Sequence, residues 1–154
     1  MKDYRNAEGQ LHREDGPAVI WTSGTQEWYI NNKRHRVDGP VLIWSNGSQE
    51  WYINGLLSRE NGPAVIHANG KQVWYLNDRR HREDGPAIMC ADGSQYWYIN
   101  DLYHRDNGLP FKLNKFNNTM TLANGKKVPM TDDDYEKYKY KPPGQFTKAA
   151  LREN

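Results

Sequence analysis

Four tandem copies of one 23-residue phrase, running from His12 to Tyr103, constrain this chain more than any other feature. Each copy reads approximately His-Arg-x-Asp-Gly-Pro-Ala-Val-Ile, then a short turn ending in Gly, then Gln-x-Trp-Tyr-Ile-Asn. Gly16, Gly39, Gly62 and Gly85 are spaced by 23, as are Trp28, Trp51, Trp74 and Trp97 and the tyrosines that follow them. A fixed period of this length makes each copy one supersecondary unit. Stacking of neighbours must then supply the core that a single unit is too small to bury.

Turn chemistry identifies the unit. In the first copy Ala18-Val19-Ile20-Trp21 is short, β-branched and aromatic, and after Thr22-Ser23-Gly24-Thr25 the pattern resumes with Gln26-Glu27-Trp28-Tyr29-Ile30. Two such runs around a glycine-containing turn predict a β-hairpin. The turn glycine recurs as Gly24, Gly47, Gly70 and Gly93, preceded by Ser, Asn, Asn and Asp, types suited to the positive φ of a tight turn. A second turn is predicted at Asn31-Asn32, Asn54-Gly55, Asn77-Asp78 and Asn100-Asp101. Pro17, Pro40, Pro63 and Pro86 cannot donate to a ladder and belong at strand starts. The expected fold is all-β, an elongated antiparallel meander of 23-residue hairpin repeats with a short helical cap at its C-terminal end.

Period-two alternation assigns faces. Trp28 and Ile30 point one way while Glu27 and Tyr29 point the other, and the other copies keep this parity, so a tryptophan row lies opposite a tyrosine row. Val19 and Trp21 fall on one face and Ala18 and Ile20 on the other. An isolated hairpin is marginal in water. Each indole burying on the order of 200 Å² against the next copy contributes at most roughly 5 kcal/mol before entropy. The tryptophan row is therefore expected to be structural.

The repeat domain spans residues 1–130, with an opening half-copy at 4–11, full copies at 12–34, 35–57, 58–80 and 81–103, and a divergent fifth copy at 104–130. In that fifth copy Ala123-Asn124-Gly125-Lys126 repeats Ala68-Asn69-Gly70-Lys71, yet Gly125 lies 32 residues beyond Gly93. Nine inserted residues are implied around Leu109 to Asn117, carrying Phe111, Leu113 and Phe116. Pro129 fills the tryptophan slot and would end the row and blunt a strand edge. In the 131–154 tail, Thr131, the acidic run Asp132 to Asp134 and the basic finish at Lys141 predict a capped helix of about three turns. Pro142-Pro143-Gly144 stops it, and a short second helix is expected from Thr147.

Six Trp and ten Tyr against three Phe suit rings lying half exposed on sheet faces. A net charge of +2 leaves no global field to draw in nucleic acid or anionic membrane. Cys90 is the single cysteine, so neither an internal disulfide nor a thiolate cluster can form, and it occupies the slot of Trp21, Trp44 and His67. The first residues lack an apolar signal core and no run reaches the length of a membrane span. A cytoplasmic location, in a bacterial host or infected cell, is expected.

His12, His35, His81 and His104 recur by copy, but copies stand about 10 Å apart, too far to converge on one ion. No metal and no cofactor are expected. No nucleophile, base and orienting partner recur as a set, and no phosphate-cradling loop is present, so catalytic residues are not expected. Arg13, Arg36, Arg59, Arg82 and Arg105 pair most simply with Asp15, Asp38, Asp84 or Glu14, Glu60 and Glu83. The phrases Trp-Tyr-Ile-Asn-Gly and His-Arg-x-Asp-Gly-Pro-Ala resemble the variant MORN-type repeats of many bacterial and phage proteins, some of them labelled antitoxin-like. The resemblance runs over about residues 4–110 and again over 118–130. It implies an elongated sheet serving as a binding or assembly scaffold, with no catalytic residues to carry over.

The expected function is a non-enzymatic protein-binding scaffold, an inhibitor or neutraliser of a bacterial protein in the manner of an antitoxin or a phage counter-defence factor. Its binding face is expected at Tyr29, Tyr52, Tyr75 and Tyr98 with Arg36, Arg59 and Arg82, a composition that enriches interfaces. The alternative is a nucleotide or nucleic-acid binder whose arginine and histidine rows meet phosphates while aromatic rings stack bases. Homodimerisation through a sheet edge or the C-terminal tail is a further expectation.

Overall fold

The computed structural model describes residues 1–105 and 109–140. Strand β1 (Lys2–Asp3) precedes the copies. Each copy then contributes four two-residue strands, beginning with β2 (Val19–Ile20), β3 (Gln26–Glu27), β4 (Tyr29–Ile30) and β5 (Lys33–Arg34). The second copy gives β6 (Leu42–Ile43), β7 (Gln49–Glu50), β8 (Tyr52–Ile53) and β9 (Leu56–Leu57). The third gives β10 (Val65–Ile66), β11 (Gln72–Val73), β12 (Tyr75–Leu76) and β13 (Arg79–Arg80). The fourth gives β14 (Ile88–Met89), β15 (Gln95–Tyr96), β16 (Tyr98–Ile99) and β17 (Leu102–Tyr103). The chain closes with β18 (Lys112–Asn114), β19 (Thr119–Thr121), β20 (Lys127–Pro129) and helix α1 (Asp132–Tyr138).

The first two strands of every copy join one antiparallel meander of twelve strands, in the order β1-β2-β3-β6-β7-β10-β11-β14-β15-β18-β19-β20. At about 4.8 Å per strand the sheet is about 50 Å wide. The remaining two strands of each copy form a separate side hairpin, β4-β5, β8-β9, β12-β13 or β16-β17.

The run expected to be continuous from Gln26 to Ile30 is thus cut at its tryptophan. The physical reason is a change of backbone partner. The Trp28 N–H donates to the Val41 carbonyl in the large sheet, while the Trp28 carbonyl accepts from His35 N–H in the side hairpin. Trp51, Trp74 and Trp97 repeat this switch with Ala64 and Ser58, Ala87 and His81, and Phe111 and His104. Face parity survives the cut, because the Tyr29 hydroxyl reaches back to Glu27 on the same side.

Both turns behave as their residue types require, in different ways. The side hairpins turn on two residues of positive φ, such as Asn77 at 50° and Asp78 at 63°, the backbone of a type I′ turn. In the large-sheet hairpins of the four copies only the glycine is left-handed. The residue before it uses its side chain instead: Asn46, Asn69 and Asp92 accept the N–H two residues on, as does Ser23.

The core is built from small and branched residues behind the prolines. Ala18, Val41, Ala64 and Ala87 are fully enclosed, next to Val19, Leu42 and Val65. At the far end Trp97, Leu113 and Met130 form a cluster joined by Phe111, Met120, Tyr135, Tyr138 and Tyr140. Residues 111–114, expected within an insertion, continue the meander: Leu113 pairs Gln95 as Met89 pairs Gln72. The additional length of the fifth copy forms one further strand, β19. Pro129 lies in β20, the last strand of the sheet. Thr131 caps α1 through a capping box with Asp134. The helix has two turns, shorter than expected, because Lys139 is extended. The stop at Pro142-Pro143-Gly144 and the second helix from Thr147 lie outside the described residues.

Candidate functional site

One face of the array carries a ladder of arginines on indoles. Arg36, Arg59, Arg82 and Arg105 lie over Trp28, Trp51, Trp74 and Trp97 with the guanidinium carbon 4.1, 4.0, 4.2 and 3.7 Å from the ring centre. Arg13 covers Tyr4 at 4.1 Å in the same way, so Tyr4 takes the indole slot of the opening half-copy. Each Nη1 donates to the proline carbonyl ahead: Arg36 to Pro40 at 3.1 Å, Arg59 to Pro63 at 3.3 Å, Arg82 to Pro86 at 3.4 Å. The guanidinium also sits against the glycine of Asp-Gly-Pro, where a Cβ on Gly39 would stand 2.9 Å from Arg36 Cζ. The recurrent glycine therefore makes room for the recurrent arginine. Asp15 and Asp84 bind the Nε of Arg13 and Arg82 at 2.8 Å, which holds both carboxyls below the usual aspartate range. Burial pushes Arg105 down to about 10, still charged at neutral pH.

The opposite face holds the tyrosine row, and two carboxylates organise it. Glu27, 8% exposed, accepts from Trp21 Nε1 at 2.7 Å, the Tyr29 hydroxyl at 2.9 Å and Arg34 Nη2 at 3.1 Å. Burial works to raise its pKa, but the three donors prevail and hold it below the ordinary value. Glu50 repeats the arrangement with Trp44 Nε1 and the Tyr52 hydroxyl. Burial first, then the neighbouring carboxylate, pushes the Tyr29 and Tyr52 hydroxyls up. Tyr75 is half-buried. Tyr98 is 5% exposed and stacks on Tyr103, which stacks on Phe111. Of the expected binding face, then, Tyr29, Tyr52 and Tyr75 are half-buried, the first two bonded to carboxylates, Tyr98 is buried, and Arg36, Arg59 and Arg82 lie on the other side of the sheet.

The arginine face is occupied once, by the chain's own C-terminal segment. Tyr140 N–H donates to Gln95 Oε1 at 2.7 Å, its hydroxyl accepts from Arg82 Nη2 at 3.1 Å, and Arg105 Nη2 donates to the Tyr138 carbonyl. The Tyr135 hydroxyl reaches the Gly93 carbonyl at 2.7 Å. Gln26, Gln49 and Gln72 hold the position of Gln95 in the other copies, between Ile20, Ile43, Ile66 and Met89 across the strands. Among the described residues their side-chain amides have no partner. Two further seats of the same construction are thus open, at Gln26 and Gln49, and a third at Gln72 shares Arg82 with the filled one.

Two of the histidines bind turns: His12 Nδ1 lies 2.7 Å from Asn31 Oδ1 and His81 Nδ1 3.0 Å from Asn100 Oδ1. Among the described residues no three His, Cys, Asp or Glu side chains are grouped to hold a metal, and no helix is long and apolar enough to cross a membrane. Burial raises the Cys90 thiol, the opposite of what an activated nucleophile needs. Comparison of the chain with models of known protein families and with curated proteins finds no match.

Two features of these faces were available in the sequence and were not read from it. Trp and Glu six residues apart occur together in the first two copies, as Trp21/Glu27 and Trp44/Glu50, and disappear together as His67/Val73 and Cys90/Tyr96. The recurrent glutamine was visible as a repeat position, but only its cross-strand placement beside isoleucine gives it a function.

Proposed function

We propose that this protein is a non-enzymatic protein-binding scaffold that receives a partner segment on its arginine-glutamine face. The observation that carries this reading is the seat already filled by Tyr138 to Tyr140, where a glutamine amide takes a backbone N–H and two arginines take a carbonyl and a hydroxyl. The seats at Gln26 and Gln49 offer the same donors and acceptors, repeated at about 10 Å, and at Gln72 the amide and Arg59 are offered beside Arg82, which already serves Tyr140. A segment running across them would gain from each in turn. Resemblance to repeats of antitoxin-like bacterial and phage proteins suggests a bacterial protein as the partner, neutralised by being held. The nucleic-acid reading gains nothing here: the guanidiniums of Arg36, Arg59 and Arg82 lie over indoles and already donate to carbonyls.

The test is capture of proteins from a bacterial lysate on the immobilised full chain, with the double variant Gln49→Ala/Gln72→Ala beside it. Both side chains are half exposed, so Tm should hold while capture falls about tenfold. Equal capture by the variant, or oligonucleotide binding that collapses with added salt, would overturn the reading.

A further inference from the structure

Neighbouring side hairpins are joined by a recurring clasp. Leu11 N–H donates to Asn32 Oδ1 at 2.7 Å while Asn32 N–H returns a bond to the Leu11 carbonyl at 2.9 Å. Leu57 and Asp78 do the same at 2.6 and 3.0 Å, and Arg80 and Asp101 at 3.1 and 3.0 Å. In the last clasp Asp101 Oδ1 also accepts from Arg80 Nε at 2.6 Å. One side-chain oxygen on a type I′ turn therefore serves a backbone N–H and, where an arginine is present, its Nε.

The joint between β4-β5 and β8-β9 lacks this clasp. The turn residue there is Gly55, with φ of 82° near the 66° of Asp101, and a Cβ on it would meet nothing within 4 Å. Facing it is Arg34, the counterpart of Arg80: Arg34 lies over Tyr52 as Arg80 lies over Tyr98. Arg34 Nη2 is engaged by Glu27. Among the described residues, however, Arg34 Nε is buried with no hydrogen-bond partner. The Arg34 N–H and carbonyl likewise lack the bonds that Arg80 makes with its turn partner. A buried donor left unpaired loses its hydration with no bond in return, so native structures rarely keep one without a use. An open groove lies at this joint, walled by Tyr29, Asn31, Lys33, Arg34, His35 and Gly55, with two cations and no carboxylate in its lining.

We propose that the Arg34–Gly55 joint is a receptor for one aspartate of a partner protein, whose carboxylate takes the place that Asp101 holds beside Arg80. One carboxylate oxygen accepts from Arg34 N–H and Nε, and the aspartate's own N–H donates to the Arg34 carbonyl. The Arg34 side chain is 36% exposed, so a small tilt toward the groove presents Nε. The partner as the source of the aspartate rests on the scaffold reading above; the receptor itself does not.

The test follows the Arg34 amide and Nε–H signals of the full ¹⁵N-labelled chain by NMR. Titration with N-acetyl-aspartate N-methylamide should move both signals together and saturate, whereas acetate, which has no N–H to return, should need at least about tenfold higher concentration. Gly55→Asp should supply the carboxylate internally, abolish the response to the probe and raise Tm. Arg34 signals unmoved by the probe, an unaltered response in Gly55→Asp, or acetate acting as strongly as the probe would each overturn the proposal. Because the signals are read without any partner, a failed lysate capture sinks the scaffold reading alone. A failed titration sinks the aspartate receptor alone.

Discussion

Arg36, Trp28 and Gly39 form the smallest unit whose parts explain one another. The cation lies on the ring and the missing Cβ gives it room. Gly39 does not have a left-handed backbone, so Gly39→Ala acts through that contact alone. We expect it to cost about 1–3 kcal/mol in urea unfolding, as overpacking does. The cost should shrink when Arg36 is also Ala, because the two sites share the contact. On the other face, Glu27 has a folded-state pKa below its unfolded value, so its stabilisation is complete above about pH 4.3 and is lost as pH falls through the depressed value. Wild type should therefore lose stability between about pH 5 and pH 3 more steeply than Glu27→Gln. Identical slopes for the two would show that the Trp21, Tyr29 and Arg34 bonds do not set the acid limb. The residue types of this network stand in the sequence, but its closure does not, since a tyrosine row reads equally as an exposed face or as donors to a buried carboxylate.

At the scale of elements, hairpins, turn residues and helix cap follow from local chemistry, and local chemistry is what a sequence displays. Positive φ at Asn31, Asn77 and Asn100 and the Thr131 cap belong to this group. The cut at each tryptophan does not, because alternation tells which face a side chain takes and not which strand its backbone pairs with. The same limit hid β18 and β19, whose residues read as an insertion until Leu113 is seen paired to Gln95. Tyr4 was missed because the opening turn at Asn6 to Gln10 is one residue longer, which shifts the register against the later copies. Helix α1 is held by its cap and by Tyr135, Tyr138 and Tyr140 on the last copy. Thr131→Ala should lower stability by about 1 kcal/mol, and thermal unfolding followed by circular dichroism will show it. An unchanged Tm would mean that the tyrosines alone keep the helix seated.

Across the whole molecule the two ends are unequal. The first end is β1, two exposed residues paired to β2, with one further bridge between Arg5 and Leu11. The other carries Trp97, Leu113 and Met130 under the C-terminal tyrosines. In a repeat array each copy contacts only its neighbours, so local stability is set by what lies on either side. Five backbone amides make this measurable. Tyr4, Trp28, Trp51, Trp74 and Trp97 each donate to the equivalent carbonyl, of Ala18, Val41, Ala64, Ala87 and Phe111, at 2.8 or 2.9 Å. Their bonds are alike, so any difference in hydrogen exchange reports position in the array. We expect protection to rise from Tyr4 to Trp97, and an excess of only about 1.4 kcal/mol at the capped end slows opening tenfold. Thr131→Ala should reduce protection most at Trp97 and leave Tyr4 unchanged. Uniform protection along the five would mean that the array opens only as one body, and stability passed from copy to copy would then be the wrong description of it.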